Sequence, residues 1–373
     1  MITIKEAVTK KQIKAFVKFP FTIYKDSKYW VPPIIKQELE TFNKDKNPIF
    51  KDAEAHFLLA YKDNVIVGRV AAIINHLEIN NQNIKKMRFG WFDFIDDLNV
   101  SKALLAEVEK IGRDKNLEYT EGPVGFSNLD KVGVLTEGFD SLGLMVSWYN
   151  HPYYVKHYEA HGYVIEKEYS ESRFPFSNVD PETFKKAQAL IKRRYQLTAL
   201  KFTKTNEVMP YADRMFDLFN TTYASLSSFV EITDIQKAYF KKKFISFVNP
   251  EYIKFVIDKN DNLVAFAIVM PRFAEAIQKT KGKLFPFGFK HILRAKKNSK
   301  DVIFYLIGVH PDYQNKGVHA VIFNEYYDIF KSKDVQTCYR TAELEDNEAI
   351  KKIWKHFSPE VYKRRKTYRK NLN

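Results

Sequence analysis

The chain has 373 residues, 45% of them hydrophobic and 15% aromatic, with a single cysteine and a formal net charge of +15 at pH 7. This length suggests two domains rather than one, and the apolar content excludes a disordered chain. The lone Cys338 excludes an internal disulfide framework and suits a reducing cytoplasm, no apolar run reaches the roughly 18 residues of a transmembrane helix, and the opening MITIKEAVTKKQIKAF reads as a strand then a helix, not as a signal peptide.

In chain order, residues 2–5 read as a strand and 11–24 as a helical stretch. Residues 55–61 and 65–74 read as a hairpin about Lys62, Asp63 and Asn64. A strand at 88–95 leads into a helix at 100–115, with Leu104, Leu105, Val108 and Ile111 on its apolar side. The second half repeats that order. A strand at 197–202 is followed by helices over most of 208–246, a hairpin of 252–257 and 263–269 about a charged turn at 258–262, a buried strand at 302–308, and a helix at 321–330 with one apolar face. This predicts one α/β unit used twice. The join lies near 175–180, where Asp180 suits a helix N-cap and Pro181 the first helical position. The expected domains are 1–178 and 179–373.

The charge is uneven. Residues 351–370 hold nine Lys or Arg and one acid. Residues 279–300 are also basic, with Phe285, Phe287, Phe289 and Leu293 interleaved. Such a segment either dips into a membrane surface, stacks on bases, or is a solvated face beside core aromatics.

The most informative stretch follows the strand at 302–308: Val309-His310-Pro311-Asp312-Tyr313-Gln314-Asn315-Lys316-Gly317-Val318-His319-Ala320. A strand that turns into a helix N-terminus directs unpaired backbone N–H groups, and the helix dipole, at one point. That geometry binds phosphate or pyrophosphate. Gly317 lets the backbone approach such a ligand, and Gln314 and Lys316 add side-chain donors. His310 and His319 flank the turn, either to bind phosphates when protonated or to cap it.

This stretch resembles the acyl-CoA-binding motif of the GNAT acyltransferase superfamily, Gln/Arg-x-x-Gly-x-Gly/Ala behind a strand ending in Val-x-Pro. Val309, Pro311, Gln314 and Gly317 match. His319 stands at the third motif position, with Ala320 one residue late. The resemblance implies that Gly308, Val309, Gln314, Asn315, Lys316, Gly317, Val318, His319 and Ala320 bind acyl-CoA, acetyl-CoA or a longer chain, as co-substrate. A later signature of the superfamily, Asn-x-x-Ala-x-x-Leu-Tyr-x-x-x-Gly-Phe, is echoed twice. In the second half Asn347 fits and Trp354 takes the Tyr place. In the first half His157 to Tyr163 matches the tail, with Tyr158 in the Tyr place, but no phosphate turn precedes it.

A wider resemblance covers nearly the whole chain. Gly122-Pro123-Val124-Gly125-Phe126-Ser127, the stretch from Gly133 to Phe139, Tyr149-Asn150-His151-Pro152, and Glu345-Asp346-Asn347 through Tyr362 to Tyr368 look like a bacterial family of tandem-GNAT proteins, some of whose relatives resemble ceramide synthases. It implies an α/β (α+β) fold of two GNAT-like domains, each a mixed, mostly antiparallel central sheet flanked by helices. It also implies N-acyl transfer from acyl-CoA to an amine. In relatives a strand-end N–H, here near 308–310, polarises the thioester carbonyl, and a carboxylate takes the amine proton. Glu343 and Glu345 are the candidates, and a regular strand would put them on one face. Asn347 would lie near the thioester, and Tyr362 or Tyr368 would act as general acid, or Tyr158 if the halves face each other. The analogy and the basic aromatic segment favour a long acyl chain or a lipid-like amine. They place the protein in the cytoplasm or peripherally at the inner membrane face, with no specific nucleic acid partner. Two rivals stand beside this reading: an aminoacyl-tRNA-dependent transferase of the tandem-GNAT type, and a non-catalytic protein that binds acyl-CoA or lipid. His157 and His161 are four apart, but the residue after the first is Tyr158 and not Glu, so no metal is expected.

Overall fold

The computed structural model describes residues 1–226, 228–245 and 248–372. Among the described residues fourteen strands form one sheet: β1 (Ile2–Glu6), β2 (Ala53–Lys62), β3 (Val65–Asn75), β4 (Lys86–Phe94), β5 (Tyr119–Gly122), β6 (Val134–Glu137), β7 (Val164–Pro175), β8 (Thr198–Leu200), β9 (Ile253–Ile257), β10 (Leu263–Pro271), β11 (Asp301–Val309), β12 (Thr337–Arg340), β13 (Glu343–Leu344) and β14 (Glu360–Asn371). Their order is β1-β2-β3-β4-β5-β14-β7-β12-β11-β10-β9-β8, with β6 beside β14 and β13 beside β7.

The local signals act as the residues suggest. Asp63 and Asn64 take left-handed φ of 50° and 64°, the conformation a two-residue hairpin turn requires. In the second hairpin the Asp258 carboxylate accepts from the N–H groups of Asn260 and Asn262, both at 2.9 Å. Asp180 caps the Pro181–Tyr195 helix by accepting from the Glu182 N–H at 3.0 Å. The helical stretch at 11–24 is two helices, Lys10–Lys18 and Pro20–Ile23, because Pro20 opens a new helix where it would break a continuous one. Within 208–246 the main helices are Ala212–Tyr223 and Asp234–Phe240; the expected end at Ser246 lies outside the described residues.

The two halves repeat a plan. β1–β5 and β8–β12 are each antiparallel until the last pair, β4 with β5 and β11 with β12, which is parallel. Each half-sheet is covered on both faces. Leu58, Phe89, Leu104 and Tyr158 cluster on one side of the first and Phe16, Phe57 and Trp91 on the other. Phe216, Phe266, Phe304 and Phe323 cover one side of the second, and Phe273, Ile277 and Ile303 the other. The final strands are exchanged. β7 pairs with β12 of the second half, β14 pairs with β5 of the first, and β7 and β14 pair with each other along most of their length. The division between 178 and 179 stays our proposal for the two units in chain order, each lending its last strand to the other.

The seam between β7 and β14 is charged and buried. The Arg365 guanidinium donates to the Glu171 carboxylate, and the Tyr362 hydroxyl reaches the same carboxylate at 3.1 Å. Glu171, Lys363 and Arg365 are each no more than 1% exposed. Burial pushes the Glu171 carboxyl up, but Arg365 and Lys363 outweigh it and hold it below its ordinary value. Burial pushes the Lys363 ammonium down to about 8, while its Nζ donates to the Leu142 carbonyl at 3.1 Å. Removing one partner strands a buried charge, so Arg365→Met is expected to cost about 3–5 kcal/mol, and adding Glu171→Leu should recover most of that loss. Calorimetric melting of the single and double variants measures both; equal melting points for wild type and Arg365→Met would refute this view of the seam.

Candidate functional site

β11 and β12 are paired only from Asp301 opposite Thr337 to Phe304 opposite Arg340. Beyond that they part. β11 stays with β10 as far as Val309 opposite Ala265, while the chain after β12 bends so that β13 meets Tyr169 and Ser170 of β7. The wedge opens into a cavity of about 360 Å³, within the range of small-ligand sites. Residues 304–309 form one wall and 341–344 with the start of the Glu348–Trp354 helix the other. Residues 124–132 of the first half and 222–226 of the second close it.

The turn between β11 and the following helix lies at one end of this cavity. A 3-10 turn, Pro311–Tyr313, follows β11, and the His319–Ser332 helix begins after it. Asn315 and Gly317 have left-handed φ of 57° and 75°. Among the described residues, nothing accepts a hydrogen bond from the backbone N–H of Asn315, Lys316, Gly317 or Val318. These open donors, ahead of a long helix, form a cradle suited to a pyrophosphate. The Lys316 ammonium sits over the rings of Tyr195 and Tyr313, at 5.4 and 5.5 Å from their centres, and is exposed beside the cradle.

Several side chains do other work than the sequence suggests. The Gln314 amide donates to the Val309 carbonyl at 3.1 Å and ties the turn to the strand, so it is not a free phosphate donor. A Cβ on Gly317 would lie 2.6 Å from Ile191 Cδ1. Its glycine therefore serves the left-handed turn and the contact with the Pro181–Tyr195 helix. His310 caps its turn: Nδ1 accepts from the Asp312 N–H at 3.2 Å. Burial, with His356 nearby, pushes His319 down to about 4, so it brings no positive charge to phosphates near neutral pH. Gly308 lines the cavity from within β11, and Val318 and Ala320 anchor the start of the helix with buried side chains.

Two carbonyls on the open side of β11 are already taken by hydroxyl groups. The Tyr223 hydroxyl donates to the Ile307 carbonyl at 3.2 Å and the Thr341 hydroxyl to the Tyr305 carbonyl at 3.5 Å, both from the open side. The His310 N–H turns back to the Val264 carbonyl at 2.8 Å. Neighbouring residues of a strand direct their N–H groups to opposite sides, so the Val309 N–H faces the wedge beside the turn.

Glu343 and Glu345 are separated. β13 is only two residues long and the chain turns directly after it, so the two-residue alternation that would put both on one face ends. Glu343 lines the cavity, where the Arg340 guanidinium and the Trp354 indole N–H, the latter at 3.1 Å, donate to it. Burial pushes its carboxyl above the ordinary value, and Arg340 offsets this only in part. Glu345 lies outside the cavity lining and pairs with Arg364. Asn347 lines the cavity and caps the Glu348–Trp354 helix, accepting from the Ile350 N–H at 3.2 Å. Tyr362 belongs to the β7–β14 seam and is not a cavity residue, because its hydroxyl is turned to Glu171. Tyr158 and Tyr368 stack at 4.5 Å in the core of the first half, away from this cavity. His157 and His161 both meet the Ser101 hydroxyl at 2.7 Å. Among the described residues no cluster of three or more His, Cys, Asp or Glu is arranged to hold a metal ion.

Asp130 and Lys131 face the cavity from the first half, and nothing in the sequence marks them beyond a polar loop between two glycine-containing stretches. The Asp130 carboxylate accepts from the Ser127 N–H at 3.1 Å, and its side chain packs where a Cβ on Gly125 would come within 2.2 Å. Burial pushes the Asp130 carboxyl up and the Lys131 ammonium down. Beneath them Arg88 is held by Glu78 through two bonds of 2.6 Å, and Lys86 lies 2.9 Å from both Glu78 and Glu121.

Two α/β units with a parted pair of parallel strands and exchanged final strands define a tandem GNAT fold. The chain is similar over its full length to a tandem GNAT protein from the clavulanic acid biosynthesis pathway, at 11% identity and a TM-score of 0.58, covering 100% of this chain and 99% of that one. It is also similar to a GCN5-related N-acetyltransferase from Sphaerobacter thermophilus, at 9% identity and a TM-score of 0.54, covering 100% and 96%. No family model matches. Among curated proteins the chain is similar to Protein YghO of Escherichia coli (strain K12), 25% identical over 376 residues that cover 98% of this chain and 94% of that protein. It is likewise similar to Bacterial ceramide synthase of Caulobacter vibrioides (strain NA1000 / CB15N), 23% identical over 374 residues that cover 98% and 96%. These relatives are consistent with a tandem-GNAT family, and the fold is acyltransferase-like.

Lys316→Glu should weaken coenzyme A binding about tenfold or more, which is about 1.4 kcal/mol, without moving the melting point. Titration calorimetry reads this, and unchanged affinity would remove the phosphate role of the turn. The folded His319 titrates near 4, below the 6.5 of an ordinary histidine, so the unfolded chain binds more protons between those values. Its share of stability is present above pH 6.5 and falls as pH drops toward 4. His319→Gln should flatten acid destabilisation in that window, as followed by melting point against pH.

Proposed function

We propose that the protein is an acyl-CoA-dependent N-acyltransferase that moves an acyl group to an amine. The observation that carries this reading is the cradle of open amides at 315–318 at one end of a cavity whose walls hold the Val309 N–H and Glu343. The cradle would hold the pyrophosphate of coenzyme A, and the Val309 N–H would polarise the thioester carbonyl as negative charge builds on its oxygen. Glu343 would take a proton from the incoming ammonium from its place in the cavity wall. Asp130 would attract that ammonium from the opposite wall. The amine nitrogen then bonds to the acyl carbon, the carbon–sulfur bond breaks, and the second amine proton ends on the departing thiol. Thr222, Leu226, Leu306 and Ile353 add apolar or small surface to the cavity. Together with the name of the Caulobacter relative, this supports a long acyl chain and a lipid-like amine, met by a cytoplasmic protein at the inner membrane face.

Thiol release from palmitoyl-CoA and acetyl-CoA, across a panel of amines that includes sphingoid bases, tests the reading. Turnover of palmitoyl-CoA with a lipid amine is expected. Activity confined to acetyl-CoA and small amines would sink the lipid assignment, and no turnover with any amine would sink the transferase. Glu343→Gln should lower kcat by about 10²–10⁴ and remove the acidic limb of the pH profile, while coenzyme A binding holds. A profile that keeps its acidic limb would pass the role of base to Asp130.

A further inference from the structure

The Ala274–Thr280 and Gly288–Asn298 helices form a hairpin on the second half. Its inner side is anchored. Ile277 and Ile292 pack with Leu144, Met270 and Ile303, and the Gln278 amide donates to the carbonyls of Lys28 and Trp30, both at 2.9 Å. Its outer side presents Phe285, Phe287 and Leu293 at 72%, 66% and 58% exposure. Of the chain's 31 phenylalanines, only these two are exposed among the described residues. Around them, residues 279–300 carry eight Lys or Arg and no acid. The Lys290 ammonium lies 5.1 Å from the centre of the Phe287 ring, and the rings of Phe285 and Phe289 meet at 5.8 Å. Phe287, Lys290, Leu293, Arg294 and Lys297 recur at intervals of three and four, so apolar and cationic groups share one face.

Large apolar side chains in water beside a positive field, in which Lys300 is paired with Asp334, match an anionic bilayer, whose surface supplies both phosphate charge and an apolar interior. A single-stranded nucleic acid would use the rings for stacking but leave Leu293 without a role. We infer that the outer face of this hairpin is a membrane-docking surface: Phe285, Phe287 and Leu293 enter the acyl layer of an anionic bilayer while the lysines meet its phosphate groups. Residues 142–146 pack beneath the hairpin, and Val146 and Ser147 at their end line the cavity. One segment thus joins the docked face to the site. The inference deepens the proposed acyl transfer and rests on that reading only for the purpose of the contact.

The test is co-sedimentation of the full chain with phosphatidylcholine vesicles, with and without phosphatidylglycerol, beside a Phe285→Ser/Phe287→Ser/Leu293→Ser variant. Wild type should partition at least about tenfold better onto the anionic vesicles, with salt weakening the contact, and the variant should lose about tenfold or more of that partition. Its melting point should match the wild type. A variant that partitions like wild type, or a wild type that binds neither vesicle, overturns the inference. So does a variant that loses oligonucleotide binding while keeping its vesicle partition. Thiol release in vesicle-free buffer separates the two proposals: vesicle binding without turnover of any acyl-CoA keeps the docking surface and removes the transferase, and turnover without vesicle binding does the reverse.

Discussion

The exchange of β7 and β14, closed by the buried contact between Glu171 and Arg365, is the constraint on which the rest of the structure depends. Because β7 pairs with β14 along one edge, its other edge takes β12 and then β13, with one extra residue between the two pairings. It binds Thr337 to Tyr339 near its end and Leu344 and Glu343 further back. The bend at 340–342 between those pairings draws the chain away from β11. The wedge, and with it the exposed backbone of β11, follows from where the two halves are stitched together.

Desolvation then sets the chemistry of the wedge. Its charged groups sit where water is scarce, and most are neutralised in place: Arg88 by Glu78, Lys86 by Glu78 and Glu121, Arg340 by Glu343. Burying such groups is favourable only when each is paired and hydrogen-bonded. Ser228 joins this web across the halves, accepting from Lys86 at 2.7 Å and donating to Glu121 at 3.0 Å. Its backbone carbonyl also accepts from Arg88 at 2.8 Å. The hydrogen bonds of Ser228 to these paired groups therefore tie the two halves together beside the cavity. Burial shifts Asp130 and Lys131 in opposite directions, the carboxyl up and the ammonium down.

How much of this was legible in the sequence depended on whether a signal was local. The strand, turn and helix from 302 to 330 were readable because periodicity, proline and glycine fall within one short window, and the two hairpins declared themselves through their charged turns. β14 was hidden. Residues 360–371 read as a basic segment, yet Lys363, Arg365 and Thr367 alternate inward against Arg364 and Lys366. The two-residue period is intact, but its buried face is cationic because Glu171, nearly 200 positions earlier, neutralises it. A pattern based on apolar residues cannot see such a strand. Glu343, read as the end of a strand, lines the cavity, while Glu345 and Tyr362 lie outside it because the turn after β13 and the pairing of β14 are set by contacts far along the chain. Asp130 and Lys131 were missed because a loop carries no period, and only the closure of the first half over the second brings them to the cavity.

The exchange also governs how the chain comes to be folded. The first half's sheet ends at β5 until residues 360–371 have been synthesised, so its edge stands open while the whole second half is being made. Such late, distant pairing is slow, since loop closure precedes any reward from contact, and an open edge is a template for the wrong partner. Cutting the chain between the halves would not release two independent units. It would leave two fragments, each holding a strand that the other lacks, whose recovery of structure would depend on meeting again.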